Sequence, residues 1–286
     1  MAVTLKTSKT RMFSTVLDVV RRGRMIKTDT LNFVPEDDPT YDYPVIDDGE
    51  IEAYIHHADG IVLSYLTQMY GGEEGLRTTP WITTPYRYPK NANKSKLISV
   101  QLNEVEDIYT AFWTLHFGAA TGTTTSTTTT TPPTPKYNPP EYYTITSSLE
   151  GAQGTGDTNN DSTSTNGEIT VGANAWDERE GGYQLGDEFY FSVVDVYRII
   201  NKLSADLAAA AVLMEMYSEA IPNANEYATR LYDDAMTVLK ELADPDSGVS
   251  LTATVDYDTD STPVDYNINK LGEDQSNYLT DNDLDV

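Results

Sequence analysis

Three stretches of the chain repeat apolar residues at helical spacing. In the first, Ile51, Tyr54, Ile55, Ala58, Ile61, Val62, Tyr65, Leu66 and Met69 fall within one stripe at about 100° per residue. Asp47 and Glu50 stand at the positions of a capping box before it, and Gly71-Gly72 ends it. The second stretch begins near Ser192. There Ser192 and Asp195 suit a capping box, and Phe191 and Val196 a hydrophobic staple. Val193, Val196, Tyr197, Ile200, Leu203, Leu207, Ala211, Met214 and Tyr217 then recur at helical spacing. The run LAAAAVLM is apolar on most sides, which predicts a central helix. The third follows Pro222, with Asn223 and Glu226 at its cap and Tyr227, Leu231, Ala235, Val238 and Leu242 along its stripe. Proline and glycine in DPDSG end it. The last two helices form a hairpin joined around AIPNAN.

The segments between the first two helices have a different pattern. Residues 97–102 and 109–117 read as strand or short helix, and YYTIT, GEITV and GDEFYFSV as strands. Residues 121–135, TGTTTSTTTTTPPTP, lack large apolar residues and predict an extended linker. A second polar loop is expected over residues 151–166. The pattern therefore predicts a mainly α fold: a small helical bundle with a long β-rich or irregular insertion and extended N- and C-terminal arms. The helical core takes residues 47–72 and 192–251, and the insertion residues 73–191. The arms are residues 1–46 and the acidic, Tyr-dotted residues 252–286, a stretch with no clear period.

Charge divides the chain unevenly. Its 286 residues carry 45 acids against 19 bases, a formal net charge of −26. Such an excess argues against general nucleic-acid binding, which needs a basic footprint. It suits a protein kept soluble in concentrated salt, where self-repulsion is screened, and we read the chain as a halophile's. The first 28 residues reverse the sign, with Lys6, Lys9, Arg11, Arg21, Arg22, Arg24 and Lys27 against Asp18. A basic arm on an acidic body fits nucleic acid or an acidic partner; a solvated amphipathic helix near residues 12–20 fits equally. No cysteine is present, which removes thiol chemistry and Cys-based zinc sites. No apolar run approaches the roughly 18 residues of a membrane span, and the N-terminal run VLDVV is too short and polar for a secretory signal.

Candidate chemistry is sparse. His56, His57 and Asp59 lie within four residues, but helical projection sends His57 to the other flank. Glu52, His56 and Asp59 share one face at i, i+4 and i+7, as a helix presents metal ligands; a solvated polar face has the same pattern. Asp157, Asn159, Asp161 and Glu168 have calcium-loop spacing, but Ser162 stands where that loop needs glycine. Residues 256–260, DYDTD, begin the same pattern and lack its final Glu. His116 lies in the aromatic run AFWTLHF and reads as packed. Neither a Gly-x-Ser-x-Gly elbow, a phosphate-binding glycine loop nor HExxH occurs, so no enzyme and no cofactor is expected. Asn93 and Asn160 lie in glycosylation sequons. The 20 tyrosines suit subunit contacts, since each buries area and keeps a polar tip. Leu63, Tyr217, Tyr227, Arg21, Arg22 and Arg24 are the candidate interface residues.

Two segments together resemble a known family. VIDDGEIEAYIHHADGIVLSYLTQMYGG resembles the first segment of head–tail adaptor (head-completion, or connector) proteins of tailed phages and related archaeal tailed viruses. Ala58, Asp59, Ile61, Leu66 and Tyr70 fit its pattern. NKLSADLAAAAVLMEMYSE followed by YATRLYDDAMTVLKELADPDSGVSL is similar to that family's closing helical hairpin, with Leu239, Leu242, Ala243 and Gly248 near its ending and DPDS inserted. The resemblance covers part of the chain, and the insertion and arms depart from the compact pattern. It implies a virion structural protein in the capsid–tail neck, assembled in the host cytoplasm. Such a protein forms a homo-oligomeric ring of about twelve copies, a closed cyclic assembly. The ring binds the portal protein and a tail or neck protein and extends the channel for double-stranded DNA, without sequence readout and without a membrane. An acidic channel wall would repel phosphates and let DNA pass. The alternatives are an exported or cell-surface halophilic protein with a glycosylated Thr-rich stalk, and a small metal-binding protein or enzyme using Glu52, His56 and Asp59.

Overall fold

The computed structural model describes residues 11–23, 26–31, 44–87, 96–105, 108–118, 142–177, 183, 185–217, 224–249 and 251. The Thr/Pro tract at 121–135, the sequon at Asn93, Arg24 and the acidic residues 252–286 lie outside them.

In chain order the first described elements are α1 (Val16–Gly23), β1 (Lys27–Thr28), β2 (Val45–Ile46) and α2 (Asp48–Tyr70). Then come β3 (Arg77–Ile82), β4 (Tyr86–Arg87), β5 (Lys96–Leu97), β6 (Gln101–Leu102) and β7 (Ala111–Phe117). After these follow β8 (Tyr142–Ser147), β9 (Gly151–Asp157), β10 (Ser162–Thr163), β11 (Ile169–Val171) and β12 (Trp176–Asp177). The last are β13 (Glu188–Val196), α3 (Arg198–Val212), which continues as a π-helical turn over Leu213–Tyr217, and α4 (Ala224–Ala243).

This is an α+β architecture, and it overturns the expectation of a mainly α bundle. A six-stranded antiparallel sheet runs β3-β13-β7-β8-β9, with β4 pairing β13 beside β3. The interior strand β13 is buried on both faces. Tyr190, Val194 and Val196 point into one hydrophobic core with all four helices. Phe189, Phe191 and Val193 point into a second core with Trp113, Leu115, Phe117, Tyr143 and Ile145, closed by Leu97, Ile169 and Val171 of the short strands. The sheet is thus the middle layer between helices and a thin second β layer.

Burial on both faces explains the sequence error at Ser192. A strand covered on one side alternates apolar and polar, as β8 does with its exposed–buried alternation. EFYFSVVDV is buried at every position after Glu188, so it lacks that alternation and imitates the approach to a helix. The predicted Ser192–Asp195 capping box and Phe191–Val196 staple do not form. The helix begins at Arg198, after Tyr197, which offers no side-chain cap. The expected polar loop at 151–166 is also corrected in part: residues 151–157 are the sheet's edge strand β9.

Helix α2 follows the centre of its predicted stripe, with Ile51, Ile55, Ala58, Val62 and Leu66 buried, while Tyr65 and Met69 at its edge are exposed. Asp47 accepts from Gly49 N at 2.8 Å, and Gly71 closes the helix at φ 77°, where a side chain would be strained. Helix α3 packs against α1, α2 and α4. Ala205, Ala208, Ala209 and Ala210 are fully enclosed there, and their small side chains allow three helices to approach one. Each fully buried Leu or Ile along the stripes, such as Ile51, Ile55, Leu66 and Ile200, contributes roughly 1.5–3 kcal/mol. Tyr70 Oη donates to the Leu242 carbonyl at 3.3 Å and so ties the end of α2 to the end of α4.

Residues 11–23 are not a free arm. Phe13, Val16, Leu17, Val19 and Val20 are buried in the helical core. Thr15 caps α1: its Oγ1 accepts from Asp18 N at 3.2 Å while Asp18 Oδ2 accepts from Thr15 N at 3.0 Å. This reciprocal pair is the capping box that the sequence TVLD encodes.

Candidate functional site

Among the buried polar side chains of the described residues, two groups lie around β13. The first is a seam between α1, α2, α3 and β13. At one end, Asp18 Oδ2 accepts from Thr15 Oγ1 at 2.9 Å and Asn201 Nδ2 at 3.1 Å, and its Oδ1 accepts from Ser192 Oγ at 3.0 Å. Asn201 Nδ2 also donates to the Phe13 carbonyl at 3.1 Å. At the other end, Asp59 Oδ2 accepts from Phe13 N at 3.0 Å, and its Oδ1 accepts from Ser204 Oγ at 2.6 Å. Ser14 Oγ lies 2.7 Å from Ser204 Oγ. Burial pushes Asp59 up to about 7, against the opposing pull of Ser204 and the Phe13 N–H.

The second group is ionic. Arg77 and Asp195 are both buried and pair directly, Arg77 also pairs with Glu73, and Thr110 Oγ1 donates to Asp195 Oδ1 at 2.7 Å. Arg77 and Asp195 help line an open cleft of about 640 Å³ whose walls also include Arg11, Pro80, Leu102, Val105 and Ile108. Arg77 Nε is buried without a hydrogen-bond partner. Arg11 lies over the Tyr109 ring at 4.9 Å and 3.5 Å from Glu74.

The proposed metal faces are not assembled. Asp59 turns inward to hold Phe13 and Ser204, while His56 is exposed and Glu52 half-buried. The helical projection placed Asp59 on the back of α2 because it could not include α1, which covers that side. In the 157–168 loop, Asp157 Oδ1 accepts from Asn159 N at 2.9 Å and Asn160 N at 3.0 Å, and Asp161 Oδ1 accepts from Ala173 N at 2.9 Å. These carboxylates serve turns, and Glu168 lies beside the Asn166 turn. Among the described residues no group of three His, Cys, Asp or Glu is placed to hold a metal ion. His116 Nδ1 lies 2.8 Å from Glu188 Oε1 across β7 and β13, and Glu188 Oε2 accepts from Tyr190 Oη at 2.6 Å.

The candidate interface residues mostly serve the chain itself. Tyr217 is fully buried; its Oη donates to the Pro44 carbonyl at 2.6 Å and accepts from Lys27 N at 3.0 Å. Tyr227 Oη donates to the Arg22 carbonyl at 2.8 Å. Arg22 Nε stands 3.2 Å from Asp206 Oδ1 as an ion pair without hydrogen-bond alignment, and Lys202 Nζ donates to Asp206 Oδ2 at 2.6 Å. Arg21 lies over the Tyr86 ring at 5.3 Å. Leu63 is half-buried against the helical core. Sequence reasoning missed Asp18, Ser192, Asn201 and Ser204. The TVLD capping box was the one available signal for Asp18.

No family model matches the chain, and no curated protein matches it. Two crystal structures of Xanthomonas campestris FlgL, in space groups H3 and C2, are similar over part of it at 14% identity. They cover 59% and 55% of this chain, with TM-scores of 0.24 and 0.25. This chain spans about half of theirs, 50% and 48%. At TM-scores this low the likeness carries no argument for fold or function. Among the described residues no helix is long and apolar enough to cross a membrane.

Proposed function

We propose that this chain is a structural protein of a haloarchaeal tailed virus, forming a ring that joins the portal to the tail or neck and extends the DNA channel. What supports the reading is the meeting of the two adaptor-like segments. They are far apart in sequence, yet α2 packs on the α3–α4 hairpin, and Tyr70 of the first bonds Leu242 of the second. Ala58, Ile61, Leu66 and Tyr70, which fit the adaptor pattern, lie in or against that shared core. The net charge of −26 favours passage of DNA past an acidic wall without retention. In molar salt, contacts between copies rest on apolar area and hydrogen bonds more than on charge.

The test is oligomeric state in molar salt, by light scattering on a sizing column, with and without the portal protein. The reading expects a closed ring or a portal-bound ring. A strict monomer that never associates with portal or capsid components would end it.

A further inference from the structure

We propose that Asp59 makes the seating of the N-terminal segment, residues 12–20, on α2 and α3 a proton-controlled contact, closed when its carboxyl is protonated and loosened when it is ionised. The proposal stands apart from the adaptor reading, since it concerns one junction within one chain.

The geometry carries it. Asp59 lies where three elements meet: α2 bears it, Phe13 and Ser14 lie over it, and Ser204 of α3 reaches it. It is 6% exposed, and Phe13, Ser14 and Ser204 are at most 1% exposed. The two buried carboxylates of the seam differ in what satisfies them. Asp18 receives Thr15 N, Thr15 Oγ1, Ser192 Oγ and Asn201 Nδ2. Asp59 receives the Phe13 N–H and the Ser204 hydroxyl. An ionised carboxylate can accept about four hydrogen bonds. Asp18 is therefore compensated for its charge, and Asp59 is half compensated in an equally dry place.

Protonation leaves the number of hydrogen bonds at the junction unchanged. The proton comes from solvent to Oδ1, which then donates to Ser204 Oγ. Ser204 turns its own proton to Ser14 Oγ, and Oδ2 still accepts the Phe13 N–H. Hydroxyl rotation makes the change: the buried charge is gone, and the Ser14 proton gives up Ser204 as its acceptor, the one hydroxyl cost of the protonated state. In the ionised state the charge regains water by lifting Phe13 and Ser14, the segment that covers it.

The surrounding charges do not reverse this. Glu73, in the turn after α2, raises the carboxyl, and Arg77 on β3 lowers it, both by less than burial does. On α3, Asp206 pairs with Lys202 and with Arg22 of α1. Asp18 of α1 is held by its own donors, and Arg11, before α1, pairs with Glu74. On α2 itself His56 and His57 are exposed and Glu52 is half-buried. The carboxyl's folded value of about 7 lies above its ordinary value of 3.8. The contact is therefore firmest below the ordinary value, weakens as pH rises through about 7, and is level above it.

Hydrogen exchange by mass spectrometry on the full chain tests this, with each peptide corrected for its intrinsic rate. Peptides covering residues 12–20 should open about tenfold or more often at about pH 8 than at about pH 5.5. Peptides from α4 report the general loosening of an acidic chain and are subtracted. Asp59→Asn, which copies the protonated pattern, should abolish the difference. Ser204→Ala removes a donor to the ionised form, so the transition should move to higher pH. Equal opening at both pH values in the natural chain overturns the proposal, as does a natural slope in Asp59→Asn. Should Asp59→Asn fail to fold, an unmoved midpoint in Ser204→Ala overturns it instead.

Discussion

Ser192 Oγ donates to Asp18 Oδ1 at 3.0 Å, joining strand β13 of the sheet to the first turn of α1. The two residues are 174 positions apart. Asp18 also caps α1 and receives Asn201 from α3, so one carboxylate holds a sheet and two helices together. Asp18→Ala would leave Ser192, Thr15 and Asn201 with lost partners and α1 with half its capping box. We expect a loss of roughly 3 kcal/mol, read as a lower denaturation midpoint with an unchanged slope. Thr15→Ala should cost less, about 1–2 kcal/mol, because Asp18 keeps its other donors.

The Arg77–Asp195 pair behaves as a unit. Both side chains are buried, at 9% and 8% exposure, so removing one strands the other's charge. Arg77→Met should destabilise by about 3–5 kcal/mol in urea unfolding. The double variant Arg77→Met with Asp195→Leu should recover much of that loss. Equal destabilisation by the single and double variants would show that packing, not charge, is what Arg77 contributes.

Two glycines, Gly75 in the turn after α2 and Gly60 in its middle, should answer alanine in opposite directions. A Cβ at Gly75 would lie 1.6 Å from the Tyr70 carbonyl oxygen, a backbone atom that cannot swing aside. Gly75→Ala should therefore cost at least about 1–3 kcal/mol. A Cβ at Gly60 meets nothing within 4 Å. Gly60→Ala should raise stability by about 0.5–1 kcal/mol in thermal melts, as for any exposed helix interior. If Gly60→Ala instead blocks assembly of the proposed ring while stabilising the single chain, that face of α2 lies against another copy.

Stability against pH should carry the mark of Asp59. Its folded value of about 7 exceeds the ordinary 3.8, so the native state holds the proton more tightly than the unfolded chain. Stability should fall as pH rises from about 4 to about 7, by an upper limit of roughly 4 kcal/mol, then level off. Urea midpoints for the natural chain and Asp59→Asn across that range check it. The two curves should differ most at about pH 7 and above and converge towards acid.

Much of the helical part was legible in the sequence. The stripes of α2 and α4, the Asp47 cap and the Gly71 stop are local features, set by residues within a few positions of one another. Strand β8 was legible for the same reason, since it alternates, whereas residues 109–117, which hold β7, read as strand or short helix. Strand β13 was legible in its first part, GDEFYFSV, but its end through Val196 was read into the helix, because burial on two faces erases the alternation that marks a strand. The inward turn of Asp59 was hidden too, since a helical projection shows one helix and nothing of what covers its other side.

Local physical chemistry thus determined that α2, α4 and the body of α3 would be helical, where α2 begins and ends, and the strong excess of acid. These depend on backbone periodicity, caps and composition, all readable over short spans. The tertiary structure decided the rest: that residues 11–23 belong to the core, that the sheet stands between two cores, and that Asp18 and Asp59 are buried. Each of these rests on contacts between residues far apart in the chain, such as Phe13 with Asp59 and Asp18 with Ser192. A polar side chain is solvated or enclosed according to what lies across from it, and spacing along one element does not contain that.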